Sequence, residues 1–286
     1  MKIAGEKGHR LVCSDTATGK LVWLDEQGQI TREVDGVGGV FDFWVLPEGD
    51  VLYASNNGPG NAWVARIAPD NTERWRFPLG PGRELFSCQP LADGRMVLGV
   101  LGTPQIWEVD GDGSLLKQID VPYAADANPH EGMRIVRRLG QVYYLIQPGA
   151  NRLLKLNEQG ELLADFPIHA DAFGLTVEEN GHIVYTCMSG AYELDEAGNE
   201  VWTLTDADIP EMGIRWLLGL QRLSDGELAF ANWMGHGHDD EGVPLFAVNR
   251  QKEVVWVCDS RGMLGMPSTL QILDVPADRV CFTPTR

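Results

Sequence analysis

The stretch Leu217–Glu241, LLGLQRLSDGELAFANWMGHGHDDE, holds both the repeat that builds this chain and a departure from it. Its first half is apolar through Leu217–Arg222, breaks at Ser224-Asp225-Gly226 and resumes through Glu227–Asn232. That is a strand, a tight turn and a returning strand. Its second half, Trp233–Gly242, is a loop rich in glycine and histidine that no other copy of the repeat has. Regular frames carry the fold and long irregular loops carry the chemistry, so the two halves read as scaffold and candidate site.

Working outward, the turn glycine recurs as Gly49 in VLPEGDVLYA, Gly94 in PLADGRMVLG, Gly140 in VRRLGQVYYL, Gly181 in VEENGHIVYT and Gly226 in RLSDGELAFA, at spacings of 45, 46, 41 and 45 residues. A sixth leading strand, STLQILDVPADRVCF, begins at Ser268 without the glycine. Each unit continues into a second hairpin, as in LLKLNEQGELLADF, AYELDEAGNEVWTL and LFAVNRQKEVVWVC. Four short strands per unit with almost no helical periodicity make the blade of a β-propeller. The expected fold is all-β, one six-bladed propeller over residues 1–286 with four-stranded antiparallel blades. The chain starts in mid-blade, so both termini share the closing blade and remove the open sheet edges. There RLVCS (Arg10–Ser14) and RVCFT (Arg279–Thr283) compete for the second-strand slot. Trp75, Trp202 and Trp256 occupy matching places in three fourth strands, which points to packing between blades rather than to a ligand.

These units resemble six-bladed propellers of the PQQ-like and NHL-like repeat type. DTATGKLVW (Asp15–Trp23) is similar to the D-x-x-T-G-K-x-x-W signature of PQQ-repeat proteins. It occurs once, where quinoprotein dehydrogenases carry it in most blades of a larger ring, so PQQ itself is not an expected cofactor. NWMGH (Asn232–His236) is similar to an N-W-x-G-H stretch in uncharacterised bacterial propellers of this type. The resemblance spans nearly the whole chain and implies a fold, which does not give a function.

Composition narrows the partners. A formal net charge of −18 excludes a nucleic-acid backbone and disfavours anionic lipid. No apolar run reaches the roughly 20 residues of a membrane span. MKIAGEKGHR lacks the apolar core of a secretion signal, so the cytoplasm is favoured, or a secreted or periplasmic location if a signal was trimmed. Cys13, Cys88, Cys187, Cys258 and Cys281 are scattered without a C-x-x-C pair and read as small buried hydrophobes, with a Cys13–Cys281 disulfide as a minor alternative.

The long links between blades and the loops between second and third strands share one face of the disc, and that is the candidate face. Strand alternation puts Trp44, Gln89, Gln221 and Gln271 on the central channel, and a third hairpin shorter by one residue adds Arg134, in line with His130. Solvated lining is the ordinary state of such a channel. An arginine and a histidine at its mouth would also suit an anionic or polyhydroxylated ligand. The candidate catalytic residues are His130, Glu131, His236 and His238. Arg134, Trp44, Gln89, Gln221, Gln271, Trp233 and Arg215 are the candidate substrate contacts, with Met212 and Trp216 beside them. His236, His238 and Asp239 offer nitrogen and oxygen ligands to a divalent metal ion such as zinc. Without a metal, His130 and His236 would move protons while Arg134 holds a carboxylate and Glu131 or Asp239 orients an imidazole. Glu131 shares the parity of buried Phe41 and Phe86, so it must pair with Arg134 or Arg215 unless the register differs. The leading expectation is an enzyme hydrolysing, eliminating or epimerising a carbohydrate-like or carboxylated small molecule, a sugar or sugar acid, at the channel mouth. A non-catalytic binding module and a protein-interaction platform are the alternatives.

Overall fold

A computed structural model describes residues 2–4, 8–122, 128, 131–223, 226–238 and 241–274. After β1 (Lys2–Ala4), the chain lays down β2 (Leu11–Asp15), β3 (Lys20–Leu24) and β4 (Ile30–Val34), three strands of a blade still missing its inner strand. Blade one follows as β5 (Val40–Val45), β6 (Val51–Asn56), β7 (Ala62–Ile67) and β8 (Glu73–Pro78). Blade two is β9 (Glu84–Pro90), β10 (Met96–Leu101), β11 (Gln105–Val109) and β12 (Leu115–Asp120). Blade three is β13 (Val136–Leu139), β14 (Val142–Gln147), β15 (Arg152–Leu156) and β16 (Leu162–Pro167). Blade four is β17 (Leu175–Val177), β18 (Ile183–Cys187), β19 (Gly190–Leu194) and β20 (Glu200–Leu204). Blade five is β21 (Leu217–Arg222), β22 (Leu228–Asn232), β23 (Leu245–Val248) and β24 (Val254–Asp259). Then β25 (Pro267–Ile272) supplies the missing inner strand, giving blade six the order β25-β2-β3-β4.

Six antiparallel blades are therefore present, closed as expected. Arg10–Ser14 takes the contested second-strand slot, Leu11 facing Ile272 and Ser14 facing Thr269, while RVCFT lies outside the described residues. One strand was not anticipated: β1 pairs with β24, so the chain's first strand covers the outer edge of blade five. No helix among the described residues is long and apolar enough to cross a membrane. Cys13, Cys88, Cys187 and Cys258 are buried thiols, and Cys281 lies outside the described residues.

The blades hold together through one lateral row of side chains on each face that meets the next blade. In blade two the row runs Gln89, Val97, Glu108, Lys117, and in blade four Thr176, Val184, Glu193, Trp202. At its inner end a glutamine amide mimics a peptide. Gln89 accepts from the Arg138 N–H at 2.6 Å and donates to the Arg138 carbonyl at 3.1 Å. Gln221 treats Ile272 in the same way, and Gln271 treats Val45 so. Trp44 donates its indole N–H to the Cys88 carbonyl. These residues do face inward, but they are not a solvated lining. Gln89 is 1% exposed, and each amide is committed to the neighbouring backbone. At two close approaches between inner strands the side chain is absent: a Cβ on Gly219 would sit 2.4 Å from the Thr269 Cα, and one on Gly174 2.1 Å from the Leu218 carbonyl oxygen.

At the third strand the row is electrostatic in two seams. Buried Glu108 receives Arg95 at 2.6 Å together with Arg138 and the Tyr143 hydroxyl from blade three. Burial, with Glu108 beside it, pushes the Tyr143 phenol well above its ordinary range and keeps it a donor. Glu193 likewise receives His182 at 2.8 Å, Arg222 at 3.1 Å and Arg250, the two arginines coming from blade five. Breaking such a buried pair strands the partner charge, at a cost of about 3–5 kcal/mol. Glu108→Ala is therefore expected to lower the urea-unfolding free energy by about that amount. Adding Arg138→Met should restore part of the loss. A loss no larger than that of an exposed pair, below about 1 kcal/mol, would show that the node does not hold blades two and three together.

Candidate functional site

Each inner strand carries one extra residue near its long-loop end, and those extra residues build the mouth of the axis. Phe41, Phe86, Leu218 and Ser268 sit at shifts in strand register, and in blades three and four Arg134 and Phe173 take the place with matching backbone bonds, Arg134 N–H to Ile146 and Phe173 N–H to Thr186. A bulge re-aims the side chain it carries. Phe41 and Phe173 belong to opposite blades, yet their rings lie 5.5 Å apart, and Phe86 is 5.2 and 5.8 Å from them. The aromatic trio closes the axis. Arg134 completes the ring with its guanidinium 4.5 Å from the Phe86 ring and 5.5 Å from Phe173, a cation–π arrangement on both sides.

Arg134 thus stands at the mouth, as expected, but not in the glutamine row. That row position in blade three belongs to Arg137, which pairs with Tyr144. The cause is the hairpin turn, two residues between Leu139 and Val142 against five between Val45 and Val51. Trp44, Gln89 and Gln221 therefore lie five residues before their turn glycines but Arg137 only three before Gly140, and taking that displacement of two as one exchanges the faces of the strand. Arg137 was missed for that reason. It reaches from blade three to blade one and clamps both Asp42 carboxylate oxygens at 2.8 and 2.9 Å, beside the Trp44 ring at 5.1 Å. Asp42 is 4% exposed, and burial raises its pKa against the opposing pull of Arg137. Arg137 and Asp42 form an ion pair on the axis that leaves Trp44 a packing role.

Glu131 also departs from expectation. It begins a short turn and is exposed, so the altered register frees it from the buried set. It still acts on Arg134 electrostatically, together with Glu84 and Asp171. Glu84 is buried and accepts from the Asn56 amide at 3.0 Å. Asp171 holds a left-handed backbone, φ 57°, from which its carbonyl accepts the Trp216 indole at 3.0 Å. Desolvation between the rings outweighs these three carboxylates and brings the Arg134 pKa down to about 10. His130 and Asp239 lie outside the described residues.

The loop after Asn232 comes to this mouth rather than to the outer rim. Asn232 anchors it, donating to the Gly213 and Val243 carbonyls and accepting from the Arg215 N–H. Trp233 then packs against the cluster that contains Phe86 and Phe173, meets Trp216 edge-on at 5.7 Å and donates to Thr16 of blade six at 3.3 Å. His236 is exposed, its ring edge-on to Trp233 at 5.7 Å, with no hydrogen bond among the described residues. His238 is oriented: its Nδ1 lies 2.7 Å from Glu241, whose other oxygen meets Arg215 at 3.3 Å. The hydrogen bond from His238 holds the Glu241 carboxyl below its ordinary value. Among the described residues no three His, Cys, Asp or Glu side chains converge as a metal set would. Gln89, Gln221 and Gln271, named as substrate contacts, lie below the aromatic closure and bind backbone instead.

No family model and no curated protein matches the chain. Solved structures do resemble it. A protein of unknown function from Bacteroides caccae is 20% identical, covering 92% of this chain and 98% of its own, with a TM-score of 0.81. A streptogramin B lyase is 15% identical over 89% of this chain and 87% of its own, TM-score 0.62. A catalytically inactive histidine-to-alanine variant of virginiamycin B lyase from Staphylococcus aureus, with quinupristin, is 13% identical over 92% and 90%, TM-score 0.63. At these identities the likeness shows the propeller and nothing more.

Arg134 is held charged against its surroundings, and that has a measurable sign. Its folded pKa is depressed, so the unfolded chain keeps the proton to higher pH and burial of the charge weakens the fold at neutral pH. Arg134→Met, volume-matched between two phenylalanines, is expected to leave the melting temperature unchanged or raised at pH 7. The wild-type deficit relative to the variant should shrink as pH rises past about 10. A variant markedly less stable than wild type at pH 7 would contradict this picture.

Proposed function

We propose that the chain is an enzyme that performs acid–base elimination on an uncharged, polyhydroxylated ring molecule at the axial mouth of its long-loop face. The observation that carries the reading is the Arg215–Glu241–His238 chain beside the Trp216–Trp233 wall. A carboxylate on Nδ1 fixes an imidazole's tautomer and leaves Nε2 as the proton acceptor. Trp216 and Trp233 offer an amphipathic wall on which a sugar-like ring stacks. Of the two substrate classes that the sequence suggests, the surroundings of Arg134 favour the uncharged one. Glu84, Glu131 and Asp171 already oppose its charge, and a substrate carboxylate would add a fourth negative group. A carbonyl or ester oxygen carries no such cost, and Arg134 stabilises the charge that grows on it in the transition state.

In the proposed step, His238 Nε2 removes a proton from the carbon beside that carbonyl. The C–H electron pair forms the new double bond, the bond to the leaving oxygen breaks with its electrons, and protonated His236 returns a proton to that oxygen. The solved lyases and the inactive histidine variant among the neighbours support a lyase reading by analogy of fold.

A panel of sugar lactones, glycoside esters, free sugars and uronates, followed by the ultraviolet absorbance of a new conjugated double bond, tests this. Turnover is expected with the uncharged carbonyl compounds, falling by about 10²–10⁴-fold in His238→Ala and less in Glu241→Gln, with unchanged melting temperatures. Saturable binding without turnover would make the chain a binding module. Undiminished turnover in His238→Ala would remove the histidine from the reaction.

A further inference from the structure

The seam between blades one and two lacks the electrostatic node of two of its counterparts, and a cavity stands in its place. The blade-one row runs Trp44, Leu52, Arg66, Trp75. Where blades two and four carry Glu108 and Glu193, blade one carries Arg66. Where the facing inner strands of blades three and five carry Arg138 and Arg222, each one residue after the row, blade two carries Pro90. Arg66 therefore has no acid across the seam among the described residues. It turns back within its own blade, to Asp50 at 2.7 Å and Glu48 at 2.5 Å. The space left is a cavity of about 600 Å³ on the tight-turn face, opposite the mouth, walled by Leu46, Leu52, Trp75, Pro90, Leu91 and Met96.

We propose that this cavity is a second ligand site, one that takes an uncharged, mainly apolar aromatic molecule. Its size falls within the roughly 300–1,000 Å³ of small-molecule sites. The charges at its edge are already matched: Arg66 with Asp50 and Glu48, Arg95 with Asp93 and Glu108. A charged ligand would have to displace one of those partners, whereas a neutral one leaves them in place. Trp75 supplies the recognising surface. Its counterparts are spent in their own seams. Trp256 is 2% exposed and packs against His9, and Trp202 donates to the Arg250 carbonyl beneath the Arg250 guanidinium. Trp75 is half-buried and lines this open volume together with Leu91 and Met96. The repeat of tryptophans that reads as packing in the sequence is packing in two blades and a stacking face in this one.

N-phenyl-1-naphthylamine, neutral and fluorescent only out of water, is the probe. One equivalent is expected to bind the full-length protein saturably and to quench tryptophan emission. Trp75→Ala should weaken binding at least tenfold, and Ala92→Trp, an exposed turn position at the cavity's lip, should obstruct it to a similar degree. His238→Ala and Arg134→Met should not change it, which separates this site from the mouth. Binding that is non-saturable, or indifferent to both Trp75→Ala and Ala92→Trp, or lost in His238→Ala, overturns the proposal.

Discussion

Everything in this molecule rests on a side-chain amide standing in for a peptide group. A propeller blade has an inner strand whose neighbours lie in other sheets, so its inward-facing polar atoms have no ladder to complete. Gln89, Gln221 and Gln271 supply a donor and an acceptor at the spacing of a main-chain unit and join three of the seams without water. The ring closes tightly enough that glycine is required at positions 174 and 219. A hub sealed in this way keeps these three glutamines buried.

The lip is where the fold's regularity is broken. Six equivalent bulges carry three phenylalanines, a leucine, a serine and one arginine, and the arginine is the one charged member, its pKa lowered by burial. Its guanidinium lies between the rings of Phe86 and Phe173. The irregular loop of blade five arrives at the same place, pinned at its root by Asn232 and to the neighbouring blade six by Trp233. Distant parts of the chain meet there because the wheel is round.

Much of this was legible from residues alone. Turn glycines at a period near 45 residues announced the blades, and the Trp233–Glu241 loop stood out because nothing repeated it. What failed was counting. RRLGQV contains a two-residue turn where the others have five, which brings the row position two residues nearer its glycine; a shift of one in place of two exchanges the faces of a strand, so Arg134 and Arg137 traded places and Glu131 left the core. The role of the glutamines was hidden for another reason. A polar residue facing an axis looks the same in a sequence whether it meets water or a neighbouring peptide. The lock at Glu108 was beyond reach as well, because its partners Arg95, Arg138 and Tyr143 come from two hairpins whose relative height only the folded seam defines.

The closing blade imposes an order in time. Strands β2 to β4 are made before blades one to five, yet the edge they expose on the inner side is covered only by Pro267–Ile272, which follows all five of those blades. Until then a growing chain carries a bare apolar edge, Leu11–Asp15, that any other extended segment could occupy. The same delay applies to β1, which has no blade to clasp until β24 exists. Nascent propellers of this design therefore stay open-ended until β25 is made, and crowded polysomes would be the place where two unfinished wheels trade strands.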